Sequence, residues 1–478
     1  MTLTSLEFLA FFVFVLFARQ LFGTHRAERW FLLGASVVFA LASSTVGTAV
    51  VVIITVVDFC IGRALERSTD GRKRKRLLRL SLGTSLGLLG VFKYTGFIFQ
   101  NAQVVLDAAG VGARLPSFSL PSPPGISFFT FASISYVVDV YNRRIKPADN
   151  LADYGLFLGF FPKFLAGPIA RASSFLPQIR GRRSLAPSDI ETALAYILIG
   201  AVKKLVIADQ VVGHVDLIFA SPGRFDSLTL FQGAFGYAVQ IYCDFSGYSD
   251  IAVGVARLLG FKLPDNFQMP FSAPTITDYW RRWHITMSSW FRDYLFLPLE
   301  MARKRSPRPT LRTTSNLLLT WLVCGLWHGA AWNFVCWGGI HGAAMAAHVG
   351  WRKWSPFTGL RRFRAVTAAW TVVSHALTLG VVLVSSVYFR APSVSSANGF
   401  LVRLLRFESD GTRMLSPYIL PAVAAVAFLH FVFHRDGNWA VRIVSCPAPV
   451  RFLAYGSLAC VLVLLGATST VPFVYFRF

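Results

Sequence analysis

Charge is what this 478-residue chain is short of. Only 15% of it is Asp, Glu, Lys or Arg, and the acidic side is the scarcer, with 23 residues against 47 basic ones. A soluble protein of this length carries more charge than that. Cysteine is scarce as well. Cys60, Cys243, Cys324, Cys336, Cys446 and Cys460 show no C-x-x-C spacing and mostly lie in apolar runs, which excludes a disulfide framework and a thiolate metal site and predicts small buried apolar residues. No H-E-x-x-H, P-loop or strand-linked G-x-G-x-x-G is present, and the G-x-S-x-G match at Gly83–Gly87 sits inside an apolar run rather than at the strand-to-helix turn a nucleophile elbow needs. The chemistries those motifs carry, from a serine elbow to nucleotide cradles, therefore have no foothold here. No internal repeat is visible, and no composition shift marks a soluble domain.

What fills the chain is apolar: 54% of it is hydrophobic, in recurring stretches of about 18 residues or more, the length a helix needs to cross a bilayer core. The fold class read from this is all-α, a polytopic membrane protein. A net charge of +24 points to nucleic acid in a soluble chain. Here Lys and Arg collect in short loops between apolar stretches, so cytoplasmic retention of positive charge accounts for them and no nucleic-acid partner is expected.

In chain order the expected spans begin with Leu6–Phe22, which lacks a basic flank before it and reads as a retained helix rather than a cleaved signal. Trp30–Ile61 is long enough for two spans turning at Ala42-Ser43-Ser44. The segment Arg63–Arg76 is the most basic loop and is assigned to the cytoplasm. Leu80–Phe99 crosses outward, Asn101–Pro124 is a Pro- and Ser-rich outer loop, and Ile126–Tyr141 returns to the basic Asn142–Lys146. Leu151–Ile169, broken by Pro162, Gly167 and Pro168, lies between that basic loop and Arg171–Arg183, so it is expected to be re-entrant. Ala193–Val212 and Leu228–Tyr242 follow, then a polar run, Asp244–Asp250, expected near an interface. Asn316–Cys336, Gly338–His348, Ala365–Val387, Pro417–Phe433 and Phe452–Phe473 complete about eleven crossings plus re-entrant pieces, in one membrane-embedded domain over 1–478.

The chemistry concentrates between Tyr279 and Gly342. Tyr279-Trp280-Arg281-Arg282-Trp283-His284 stands on one side of the basic loop Arg303–Arg312, and Leu326-Trp327-His328-Gly329 with Trp332-Asn333 on the other. His328 lies twelve residues past Asn316, roughly 18 Å up a helix from the cytoplasmic face, a depth where a polar side chain is costly and marks function. Gly325 and Gly329, and Gly338 and Gly342, form small-xxx-small faces for close helix packing. Trp280, His284, Ser288 and Phe291 recur at helical spacing and are expected on one helix face. Arg281 and Arg282 would project elsewhere, within reach of donor phosphates. His341 is either a supporting partner or a packing group. Asp244, Ser246, Tyr248 and Asp250 either touch substrate or satisfy helix ends. His214, His348, His375, His430 and His434 are expected to be structural. A neutral imidazole in a dry pocket can take the proton of a hydroxyl attacking an acyl carbon. The competing class is a transporter or channel with an intramembrane histidine path; a lipid-linked glycosyltransferase would need an acidic residue in an outer loop, where Asp107 offers little.

These residues resemble those of the membrane-bound O-acyltransferase family, in its alginate and bacterial polysaccharide O-acetylation branch. The resemblance runs over a core of 91–348: Val91-Phe-Lys-Tyr94, Pro124–Phe131, Phe160-Phe-Pro162 with Ala166–Ile169, Tyr242–Asp250, Leu263–Phe267, Arg282–Ile285 with Trp290–Tyr294, and Leu326–Gly329 with Trp332-Asn333. It implies a ring of helices around a thin centre pierced by a tunnel, His328 as catalytic base and His284 as a second essential residue. Trp327, Asn333, Arg281 and Arg282 are expected to contact the donor. The donor implied is cytoplasmic acetyl-CoA, with no bound cofactor or metal. The acceptor is an extracytoplasmic hydroxyl, of a partner protein or of an exopolysaccharide such as alginate, at a bacterial inner membrane. One departure stands out: Glu300-Met301-Ala302 occupies the place of a Gly-rich turn.

Overall fold

The computed structural model describes residues 1–116, 120–181, 185–304, 307–354, 364–434, 438–467 and 471–474. Arg182, Arg183, Arg305 and Ser306 of the expected basic loops, and part of the expected outer loop and last span, lie outside the described residues. The chain is all-helical, as its composition predicts; among the described residues the only strand-like pairing is an isolated bridge, Phe225 to Thr412. It packs as two compact units, one of residues 1–197 and 248–264, the other of 198–247 and 265–478.

The first unit is built from α1 (Leu6–Ala18), α2 (His25–Ser43), α3 (Thr45–Arg67), α4 (Gly71–Ala108), α5 (Ile126–Tyr141), α6 (Leu151–Gly159), α7 (Phe161–Phe164), α8 (Ala172–Arg180) and most of α9 (Pro187–Ala201). Ser44 makes the predicted tight turn: its backbone is extended and its hydroxyl accepts from the Gly47 N–H at 3.0 Å, capping α3. The broken stretch from Leu151 becomes α6 and the single turn α7, parted at Phe160 just before Pro162. The core is tied by one acid. Asp58 of α3, fully buried, accepts from Ser81 at 2.6 Å, from Ser133, and from the Tyr154 hydroxyl at 3.2 Å. Helices α3, α4, α5 and α6 thus share one carboxylate whose acceptor sites are filled by hydroxyls.

The second unit holds a π-helical turn (Val202–Ala208), α10 (Asp209–Ala220), the first part of α11 (Ser227–Leu258), α12 (Ile276–Arg282), α13 (Ile285–Phe291), a second π turn (Arg292–Phe296), α14 (Leu297–Ala302), α15 (Pro309–His328), α16 (Trp332–Trp354), α17 (Arg364–Arg390), α18 (Val394–Leu405), α19 (Ile419–Val432), α20 (Trp439–Ser445) and α21 (Ala448–Leu465). Several expected boundaries move. The polar run Asp244–Asp250 does not leave the membrane helix for an interface; it lies inside the 32-residue α11, because Asp244 finds a buried cation there. The span expected over Asn316–Cys336 is cut at Gly329–Ala331, where α15 ends and α16 begins.

Among the described residues, four helices can cross a bilayer by length and composition, Thr45–Arg67, Gly71–Ala108, Val366–Arg390 and Ala448–Leu465, with shorter apolar helices at Ile126–Tyr141, Val394–Leu405 and Ile419–Val432. Some other expected crossings are shortened or interrupted: α1 is only 13 residues, and a π turn separates α9 from α10. Helix α21 buries none of its residues, and Phe452, Leu453, Val463 and Leu464 are all more than 70% exposed. That surface is untenable in water and ordinary against lipid. Of the cysteines, Cys243 and Cys324 are buried as expected, whereas Cys60 and Cys460 face outward; all six are free.

Candidate active site

The site grows from a glycine crossing. Helices α15 and α16 form a tight hairpin, and a Cβ on Gly325 or Gly338 would stand 3.2 Å from the other's Cα and fall onto the backbone carbonyl of Phe334 or Trp321 respectively. Only glycine lets the two backbones come so close. The hairpin turns at Gly329, where a Cβ would strike the Phe334 ring. His328, the last residue of α15, is thereby held at the bend.

His328 is 4% exposed. Its ring lies 4.8 Å from Trp327, 4.8 Å from Trp337 and 5.1 Å from Phe389, each edge-on. Trp337 reaches on to His341 at 4.7 Å, and the Trp280 indole N–H donates to His341 Nδ1 at 3.3 Å. An accepting Nδ1 leaves the proton of neutral His341 on Nε2.

His284 is fully buried and joins from the other side, its ring 6.3 Å from Trp327. It does not continue the helix of Trp280, as the spacing predicted. Helix α12 stops at Arg282, His284 takes a left-handed conformation (φ 42°, ψ 53°), and α13 starts afresh at Ile285. The cause is Asn266. Its carbonyl accepts from the Ile285 N–H at 2.9 Å, and its side-chain oxygen gathers the Thr286 hydroxyl at 2.9 Å, the Thr286 N–H at 3.3 Å and His284 Nδ1 at 3.0 Å. An atom that accepts from a backbone N–H is the amide oxygen, so His284 Nδ1 carries its proton and Nε2 carries the lone pair. A non-glycine residue in this conformation costs about 1–3 kcal/mol and is characteristic of functional sites.

Beside these rings lies a small cavity of about 30 Å³, walled by Trp280, Trp337, His341 and Phe389 among others, with Tyr237, Tyr279, Ser385 and Ser386 as its hydroxyl-bearing residues. A water needs roughly 10–15 Å³ of such space, so the cavity admits a group of one or two heavy-atom layers. Trp337 and Phe389 separate it from His328.

A model of the membrane-bound O-acyltransferase family matches residues 126–388, more than half of the chain and, Phe389 apart, all of the site just described. The chain belongs to the membrane-bound O-acyltransferase family. It is 32% identical, over the full length of both chains, to the probable alginate O-acetylase AlgI of Pseudomonas putida. It is 32% identical to the peptidoglycan O-acetyltransferase of Helicobacter pylori over 72% of this chain and 67% of that one. The teichoic acid D-alanyltransferase of Streptococcus thermophilus is 31% identical over 48% of this chain and 57% of its own. The protein is an O-acyltransferase of the alginate O-acetylation type.

Of the residues the sequence singled out in this acyltransferase, the structure brings His284, Trp327, His328 and His341 into one aromatic cluster. Asn333 is buried too, but its Nδ2 donates to the carbonyls of Tyr388 at 3.2 Å and Ala391 at 3.0 Å. It ties α16 to the end of α17 and so sets Phe389 against His328. Arg282 pairs with Asp278 at 2.9 Å and bonds the Ser272 hydroxyl at 3.3 Å, while Arg281 stays exposed. Asp244 and Ser246 belong to the second unit; Tyr248 and Asp250 belong to the first. Glu300, the departure from the family pattern, is a hub: it accepts from Asn316 at 2.7 Å, Thr313 at 3.1 Å and Arg312 at 3.0 Å. This carboxylate fastens α14 to the start of α15. Sequence reasoning missed Asn266, Phe245 and Phe389. Among the described residues no group of three or more His, Cys, Asp or Glu is placed to hold a metal ion.

Proposed function

We propose that this O-acyltransferase moves an acetyl group from cytoplasmic acetyl-CoA to an extracytoplasmic hydroxyl, on a partner protein or directly on an exopolysaccharide such as alginate. His328 is the general base. The acceptor O–H gives its proton to the imidazole as the oxygen attacks the thioester carbon. The C–S bond then breaks, and the departing thiolate takes the proton back, leaving acetyl ester and free CoA. His284, with its lone pair on Nε2, is the second hydrogen-bonding group at the reacting centre, and Trp327 spaces the two rings. Trp327, Asn333, Arg281 and Arg282 stand on the donor's side of this reading, Arg281 as its exposed cation and Asn333 through the position of Phe389.

The observation that carries the reading is the joining of two motif histidines through one tryptophan, inside the family match and out of water. The names of the relatives support it: alginate, peptidoglycan and teichoic acid are all envelope polymers, and each name is that of an acyl-transfer enzyme. The reading includes a bacterial inner-membrane location, about eleven crossings with re-entrant pieces, and a tunnel through which donor and acceptor meet in one working domain over 1–478.

Purified protein in vesicles, given acetyl-CoA labelled in the acetyl group and a hydroxyl-bearing acceptor, should transfer label. His328→Ala should lower kcat by about 10²–10⁴-fold, the range of a lost general base, with His284→Ala costing less. Solute flux that persists in His328→Ala, without acetyl transfer in the parent protein, would establish the transporter class instead. Full transfer by His328→Ala with none by His284→Ala would reverse the two roles.

A further inference from the structure

One buried ion cluster lies outside the histidine site and is used by nothing described so far. Lys204, in the π turn after α9, is 2% exposed. Its Nζ meets Asp209 Oδ1 at 2.8 Å, Asp244 Oδ1 at 2.7 Å and the Val471 carbonyl at 3.0 Å. Asp209 and the Val471 carbonyl accept hydrogen bonds from the ammonium, and Asp244 Oδ1 faces it as an ion pair. Asp244 turns its other oxygen, Oδ2, to the Val474 N–H at 2.7 Å. Close approach of α11 makes this reachable: a Cβ on Gly247 would stand 2.7 Å from the Gly200 carbonyl and 3.1 Å from the Lys204 nitrogen. The Ala467 N–H also donates to the Leu205 carbonyl at 2.9 Å.

Sealing one ammonium and two carboxylates away from water is an expensive means of joining two segments, and apolar packing would do as well for stability alone. What such a cluster supplies is direction. Val471 and Val474 are each gripped by a backbone atom, and Phe473 between them is driven inward to 2% exposure. Its ring sits 5.5 Å from Phe245, the residue next to Asp244. Phe245 in turn stands edge-on to His284 at 4.6 Å, the shortest ring distance His284 makes among those described.

We propose that the Lys204–Asp244 pair and Phe473 are positioning residues for the reaction: the pair locks residues 471–474 in place, Phe473 backs Phe245, and Phe245 fixes the His284 ring in the orientation that Asn266 begins. The role rests on the functional reading above, so its test includes a readout that does not. Asn266 holds one edge of the imidazole, and a single hydrogen bond leaves rotation about that bond open. The phenyl ring closes that freedom, and Phe245 can do so only while something stands behind it.

The test uses the full chain in detergent or nanodiscs with two variants, Phe473→Ala and the milder Phe473→Leu. Carbethoxylation of His284 by diethyl pyrocarbonate is followed by mass spectrometry, with the exposed His434 as internal reference. His284 should react several-fold faster in Phe473→Ala than in the parent, with Phe473→Leu in between, while His434 is unchanged. In the same order kcat should fall, about tenfold or more for Phe473→Ala with the donor KM held, as expected for a misplaced group. Asp244→Asn combined with Lys204→Met should reproduce the His284 exposure without touching the aromatic chain. Unchanged His284 reactivity in a variant that stays monodisperse and melts like the parent would overturn the proposal. So would a uniform rise at every histidine, which reports unfolding. A parent protein that transfers no acetyl sinks the functional reading alone, because the labelling still decides whether Phe473 fixes His284.

Discussion

An imidazole can act as a base through either nitrogen, and the hydrogen bond made by the other decides which. In this protein that decision falls to Asn266, whose side-chain oxygen also holds the Thr286 N–H and hydroxyl. The amide therefore does two things: it ends α12 by capturing the next helix start, and it sets the tautomer of His284. Asn266→Ala should free the ring and lower kcat about 10²-fold, the low end of what acid–base groups contribute. Asn266→Asp keeps an acceptor in place and should retain within about tenfold of parental kcat. Equal losses in the two variants, at equal folded yield, would show that Nδ1 needs no acceptor.

At the scale of elements, the site exists because α15 and α16 can touch backbone to backbone. Gly338→Ala sets a methyl against the Trp321 carbonyl and 3.2 Å from the Gly325 Cα; no side chain there can yield. It should destabilise the protein by about 1–3 kcal/mol, as overpacking does, seen as a lower melting temperature in detergent. Gly350→Ala, in the same helix with nothing within 4 Å of the added carbon, should be neutral or stabilising by up to about 1 kcal/mol. The Gly338–Gly342 spacing was legible in the sequence because both residues stay on α16, and so was the Ser44 turn, whose cap is local. Gly329, expected on a face with Gly325, instead leaves the helix and forms the turn. The break at His284 was not legible. One left-handed residue barely disturbs a 3.6 period, and its cause, Asn266, lies 18 positions earlier in the chain. Lys204 and Asp244 each stand in the sequence as a charged residue within or beside an apolar run. Nothing local pairs residues 40 apart, so a buried ion pair read as two blemishes.

At the scale of the whole molecule, the proposed transfer between two compartments needs a fixed orientation, which the basic loops would set. The basic end of α3, the basic start of α4 and the end of α5 meet at one guanidinium: buried Arg74 donates to the carbonyls of Leu65, Ser68 and, at 2.6 Å, Tyr141. Arg63–Arg76 and Asn142–Lys146 therefore share one side of their unit, as the expectation of two cytoplasmic loops requires. Helix α4 then runs 38 residues away from that side; at 1.5 Å per residue it is roughly 57 Å long, well beyond a ~30 Å hydrocarbon core. Its far end, with Asp107 and the Pro-rich segment beyond it, must emerge on the opposite face. In a version whose six free cysteines are replaced by serine, Asp107→Cys should react with an impermeant maleimide on intact cells. Lys146→Cys, exposed in the turn after α5, should react only once the membrane is opened. Labelling of both from outside would put the basic turn in the wrong compartment, and a cytoplasmic acetyl donor would then have to arrive from the other face.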